Sequence, residues 1–178
     1  SNFTHGFANG VTVRGMPILN SYPETVRWVS SNGGSNGNDG TFQRPWATVA
    51  YAVTHADFTA ARGGIVMVKA GHAETISGAG TITMSKEGVA VIGMGVGDNR
   101  PTFTWSAVAS TWAISAANCA VQNVIVTNSI DATTKAFNIT AAGATLDIEV
   151  VDSTSLIEFE RAVLTSAAGD NLYVKMRY

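Results

Sequence analysis

The stretch AISAANCAVQNVIVTNS, Ala113–Ser129, is echoed by NITAAGATLDIEVVDS, Asn138–Ser153. A third copy, LTSAAGDNLYVK, starts at Leu164. The residues that open these phrases, Ile114, Ile139 and Leu164, stand 25 positions apart at each step. The strands that close them centre on Val124, Ile148 and Val174. A weaker copy, ITMSKEGVAVIG, starts at Ile82, and the extra length before Ile114 falls in GVGDNRPTFTWSAVASTW, read as a longer excursion.

A period near 25, built of short β-branched runs separated by Gly, Asn, Asp and Ser, is the mark of a solenoid. Each copy alternates apolar residues: Val89 and Val91, Val124 and Val126, Ile148 and Val150, Leu172 and Val174. Alternation puts one face of each strand inward and the other outward. No 3.6-residue period appears, and the LxxLxLxxN phrase of leucine-rich repeats is absent. One turn of such a coil can neither pair its backbone nor bury its face, whereas stacked turns do both. The expected fold is all-β: a short right-handed parallel β-helix, with Ile114, Ile139 and Leu164 in one interior column. Four copies and the Ile65 strand, at ~4.8 Å per strand, make a stack roughly 20–25 Å tall.

Upstream of the repeats the signals change. TVRWVSS, Thr25–Ser31, alternates and reads as a strand. NGGSNGNDG, Asn32–Gly40, is dense in residues that accept left-handed backbone angles and reads as a loop. A helix is expected from about Ala47 to Thr59, with Pro45 in its first turn and Val49, Ala50, Val53 and Ala56 on its apolar face. It is expected to stop near Gly63 and Gly64 and to lie across the open end of the coil, shielding unpaired strand edges. IVMVKAG, Ile65–Gly71, is a continuous apolar strand. Residues 1–24 have no period but carry Phe3, Phe7, Val11, Val13, Met16, Ile18 and Leu19. They read as an extended arm whose contacts lie on its own domain or on a neighbouring molecule. The expected division is an arm at 1–24, an entry strand, loop and capping helix at 25–64, and coils at 65–178.

Composition narrows the partners. The chain has 178 residues, of which 13% are charged, with net charge −2. That charged fraction is about half the usual share and suits a surface partly covered by other molecules. Eleven scattered Lys and Arg do not form the basic patch that nucleic acid demands. No run of 18 apolar residues offers a membrane span. Cys119 is the single cysteine and stands where the repeat places a small residue, so it reads as core rather than nucleophile.

Asn38, Asp39, Gly40 and Thr41, followed by Pro45, Trp46, Thr48, Val49 and Ala52 and then Gly64, Ile65, Val68, Gly71 and Glu74, form a spaced pattern. It resembles the entry module of pectate-lyase-like right-handed β-helix proteins, especially those of tailed bacteriophages. The resemblance runs over about residues 26–178. It implies a virion protein, commonly a parallel homotrimer, that contacts other capsid or tail proteins. Members that cleave polysaccharide use outward carboxylate clusters, or calcium with basic residues.

The best candidate acidic group here is Asp147, Glu149 and Asp152, with Asp147 and Glu149 outward on one strand and Lys175 expected beside Glu149 as an ion-pair partner. Paired Asp-Asp and Gly-His-Gly motifs do not occur, and His72 in GHAE is read as part of a turn. Asn36, Asn38 and Asp39 offer oxygen atoms to calcium but lack a closing bidentate Glu, and the loop reads as a plain turn. Trp28 and Trp46 read as packing anchors, while Trp105 and Trp112, flanking the excursion, are the expected glycan contacts together with Asp147 and Glu149. No catalytic residue, metal ligand or cofactor is expected.

The chain stops after LYVKM with no polar closing turn, so another subunit is expected to cover that end, unless the chain is a piece of a longer protein. The expected function is that of a non-enzymatic virion protein, a capsid decoration protein or a tail-spike or fibre component. Phe3, Phe7, Val11, Val13, Ile18 and Leu19 are its expected assembly contacts. The alternative is a glycan-binding or glycan-cleaving tail-spike domain. The small number of coils favours decoration.

Overall fold

Parallel pairing of distant strands dominates the computed structural model, which describes residues 11–13, 16–18, 26–55, 57–58, 63–151, 159–166 and 171–177. Two short strands, β1 (Val11–Val13) and β2 (Met16–Ile18), pair antiparallel as a ribbon within the arm. Phe3, Phe7 and Leu19 lie outside the described residues. The entry strand is β3 (Val26–Val29), and the helix α1 spans Val49–His55. The coils comprise β4 (Gly64–Val68), β5 (Ala73–Ile76), β6 (Ile82–Met84), β7 (Val89–Gly93), β8 (Thr102–Trp105) and β9 (Trp112–Ile114). They continue through β10 (Ala120–Asn128), β11 (Phe137–Ile139), β12 (Thr145–Val151), β13 (Val163–Thr165) and β14 (Tyr173–Arg177).

The order β14-β12-β10-β7-β4-β3 makes one face, β5 and β8 lead onto the C-terminal half of β10 as a second, and β13-β11-β9-β6 makes the third. The chain is a parallel β-solenoid of about four turns, as the repeat demanded. The stretch read as an excursion is part of the coil. It carries β8 on the second face, reached from β7 by a loop with a short 3-10 turn at Gly97–Asn99. In the next coil, β10 turns that corner within one strand. The register slips between Gln122 and Val124, and Asn123 takes φ 58°. Its side-chain amide donates to the carbonyls of Gly93 and Gly95 in the coil before (2.8 and 3.1 Å), fixing the two corners together.

Side chains stack in columns inside. Met84, Ile114 and Ile139 are in register and 0–1% exposed, and beside them run Ile82, Trp112 and Phe137. The third member of the expected column is displaced. Leu164 pairs with Asn138, and Thr165 occupies the position under Ile139. One face over, Val66, Val91, Val121, Leu146 and Val174 share a row, and Ile148 pairs with Met176 rather than Val174. The loops of the last coil are longer than those before, so counting a constant 25 falls out of step there.

The helix caps the stack as expected but is shorter. It packs on β6, β3 and β4, burying Val49, Ala52 and Val53. Pro45 precedes the first turn, and Thr48 supplies the cap: its hydroxyl accepts the Tyr51 N–H at 3.1 Å. Phe58 fills the space left by the missing side chain of Gly64, where a Cβ would come within 1.9 Å of its ring. The loop after β3 returns along that strand's free edge. Trp28 N–H donates to Gly40, Trp46 N–H to Trp28 and Ser30 N–H to Trp46, at 2.7–2.9 Å, which closes the edge to other chains.

Candidate functional site

Sequence patterning directed attention to three places: the Asn-Gly loop with GHAE, the tryptophans of the second coil, and the outward carboxylates of β12. The first is structural. Asn36 Oδ1 accepts the N–H groups of Ala47 and Thr48 (2.9 and 3.3 Å), and Asn38 donates to the Pro45 carbonyl at 2.9 Å. Asp39 accepts both the N–H and the hydroxyl of Thr41, which holds its carboxyl below the ordinary range. Asn36 Oδ1 and Asp39 Oδ1 already face protein donors, and the loop is the turn that its composition suggested.

His72 and Glu74 join this loop, the helix and the first coil. The buried imidazole accepts the Ser31 N–H at Nδ1 (2.8 Å) and turns Nε2 to Glu74 Oε2 (3.1 Å), which places the proton on Nε2. The Glu74 carboxylate in turn accepts the Val49 and Ala50 N–H groups at the start of α1 (2.6 and 3.1 Å). An anion at the first turn meets the unpaired amides and the positive end of the helix. With both carboxylate oxygens of Glu74 bonded to α1, this pair fastens the helix to the coil.

The tryptophans do not reach solvent. Trp105 and Trp112 are 0% exposed and pack on Phe103, Phe137 and Phe159 with ring centroids 5.0–5.8 Å apart. The expected glycan contact at these residues is therefore corrected. Both fall on inward strand positions, Trp105 on β8 and Trp112 on β9, and each fills the width of the coil. Trp46, 6% exposed, is the anchor it was expected to be.

The carboxylates of β12 are outward, but Lys175, expected beside Glu149, stands two residues along, beside Asp147. Asp147 sits between Gln122 and Lys175, and Glu149 between Ile125 and Arg177. Lys175 and Arg177 approach Asp147 at 3.7 and 3.0 Å. Glu149 receives Arg177 at 3.4 Å and Arg100 at 2.7 Å. The Arg100 hydrogen bond holds the Glu149 carboxyl below its ordinary value of 4.5, with Arg177 adding to it. A general acid needs the opposite shift, and carboxylates each shared by two cations are poorly placed to meet a substrate. The cluster is a ladder of charge across three coils.

Beyond this ladder lies the surface that patterning located only as a chain end. On β14, Val174 and Met176 take inward positions below Leu146 and Ile148, yet they are 38% and 51% exposed. Tyr173 on the outward side is 59% exposed. Among the described residues, β14 pairs on one edge only, with β12. The last coil thus presents an apolar floor beside an unpaired strand edge. Compared with protein-family models, with curated proteins and with solved structures, the chain gives no match.

Proposed function

We propose that the chain is a non-enzymatic structural component of a tailed-bacteriophage virion, a capsid decoration protein or a part of a tail spike or fibre, working as a homotrimer. The observation that carries the assembly half is the exposure of Val174 and Met176, the inward residues of the last strand. Apolar side chains aligned with a core column, next to a strand edge unpaired among the described residues, call for cover by a further coil or by a second subunit. The virion half is supported by the resemblance in the entry module. Asn38, Trp46 and Glu74, which carry that resemblance, are occupied in building the cap. A glycan-cleaving role is disfavoured by the pairing of Asp147 and Glu149 and by the burial of Trp105 and Trp112.

Light scattering on the purified chain is expected to give the mass of a trimer, and Met176→Glu is expected to lower it. A wild-type monomer at all concentrations would overturn the assembly half. Peptide mass spectrometry of purified particles of the phage that encodes the chain is expected to find it at structural copy number, and its absence there would overturn the virion half.

A further inference from the structure

Asn-Gly occurs twice in the loop after β3, at Asn32–Gly33 and Asn36–Gly37, and once more at Asn9–Gly10, outside the described residues. A glycine after asparagine leaves its backbone nitrogen open to the side chain before it, because it carries no Cβ. The carboxamide can then react with that nitrogen without a catalyst. The loop holds its two pairs in opposite ways.

Asn36 is held at both ends of its carboxamide. Oδ1 accepts the N–H groups of Ala47 and Thr48 at 2.9 and 3.3 Å, and Nδ2 donates to the Thr48 hydroxyl at 3.4 Å. The nitrogen that would attack it is engaged as well, since Gly37 N–H donates to Ser35 Oγ at 3.3 Å. Reaction here must first break the bonds that lead into α1, so it waits on local opening of the cap.

Asn32 and Gly33 are both exposed. Among the described residues the Asn32 carboxamide has no hydrogen-bond partner; only its backbone carbonyl is engaged, accepting the Ser30 hydroxyl at 2.8 Å. Gly33 N–H likewise donates to none of the described residues. Gly33 takes φ 76°, and a Cβ built on it would meet nothing within 4 Å, so the space around it is open. The chain just before is fixed: Ser31 N–H donates to His72 Nδ1 at 2.8 Å, and Ser31 Oγ accepts Ala73 N–H at 2.9 Å. The Asn32 side chain is thus free to turn toward the next nitrogen on an anchored loop.

We infer that Asn32 is a site of spontaneous deamidation in the folded protein, and that the fold protects Asn36 from the same reaction. The Gly33 amide nitrogen gives up its proton and attacks Asn32 Cγ. The N–Cγ bond forms, the Cγ–Nδ2 bond breaks, and ammonia leaves with the proton. Water then opens the cyclic succinimide. Cleavage of the new Cγ–N bond leaves aspartate, and cleavage of the original backbone C–N bond leaves isoaspartate. Nothing is oxidised or reduced, and water is the only co-reactant. Either product adds one negative charge to a chain of net charge −2. The reaction is independent of the virion role.

The test uses the full wild-type chain, held folded at mildly alkaline pH and sampled over time, with the modified residues located by fragmentation mass spectrometry. The mass gain of amide to acid is expected to build up at Asn32 many-fold faster than at Asn36. In denaturant the two rates are expected to converge, because only the fold separates two identical Asn-Gly pairs. Asn36 reacting as fast as Asn32 in the folded chain would overturn the inference, as would an Asn32 that stays intact there. A ratio that denaturant leaves unchanged would place the difference in the sequence rather than the fold, and would overturn it too. Both aspartate and isoaspartate are expected at position 32, and aspartate alone would contradict attack by the Gly33 nitrogen.

Discussion

Arg100 Nη2 lies 2.7 Å from Glu149 Oε2, across 49 residues of sequence. The guanidinium leaves the corner before β8, crosses the β10 strand at Ile125 and reaches β12, tying the second coil to the fourth. Its side chain is 7% exposed, and Ile125 beneath it is also 7% exposed. Arg100→Ala removes the shorter of the two bonds to Glu149 and uncovers Ile125. A loss of about 1–3 kcal/mol in unfolding free energy is expected by denaturant titration. Arg100→Lys should recover only part, because an ammonium cannot hold both Glu149 and the Gly97 carbonyl in the same fork.

The same bond sets an acid limit. The folded Glu149 carboxyl titrates below its ordinary value, so its contribution to stability is complete above about pH 4.5 and is lost as pH falls through the lower folded value. Glu149→Gln should therefore lower stability at neutral pH and flatten the acid limb of the stability–pH curve. An acid limb as steep as that of wild type would contradict the assignment.

The cap hangs on Glu74. Replacing it by Ala leaves the Val49 and Ala50 amides and His72 Nε2 without their acceptor. A cost of about 1–3 kcal/mol is expected, with hydrogen exchange rising first in α1. His72→Ala should raise exchange at Ser31 as well, and a double-mutant cycle should show the two changes to be strongly non-additive.

The corrected register makes unequal claims about residues that look alike in the repeats. Ile139→Ala empties a fully buried position and is expected to cost about 2–5 kcal/mol. Leu164→Ala, on the outer side of β13 opposite Asn138, should cost well under half of that. Equal costs in thermal or denaturant unfolding would restore the column that a constant period suggests.

Cys119 is buried, and burial pushes its thiol up. It should resist alkylation in the native protein and react at once when denaturant is added. Rapid native labelling would place it outside the core.

The repeat was legible because Ile114 and Ile139 obey it without exception, and their stacking follows from period and alternation alone. Leu164 failed because sequence similarity slid one position against the register, and a one-residue slip turns the side chain to the other face. The strand β8 was hidden because its counterpart in the next coil is fused into β10 through Asn123, so the two copies differ in length while matching in space. Trp105 and Trp112 looked like surface residues because they flank what read as an excursion, whereas that stretch is part of the coil and both rings lie inside it. Arg100 drew no notice, yet its distance from Glu149 is about twice the coil period. Opposite charges at multiples of the repeat would have flagged the ladder. The Glu74 tie to the capping helix escaped because Glu74 meets Val49 and Ala50 only after the chain has made its first turn.

The stacked register is tested most directly by methyl NOE spectroscopy on protein labelled at Ile, Leu, Val and Met methyl groups. The account predicts strong cross-peaks from Ile114 to both Ile139 and Met84, and none from Leu164 to Ile139. A missing Ile114–Ile139 cross-peak, or a strong one between Leu164 and Ile139, would contradict it.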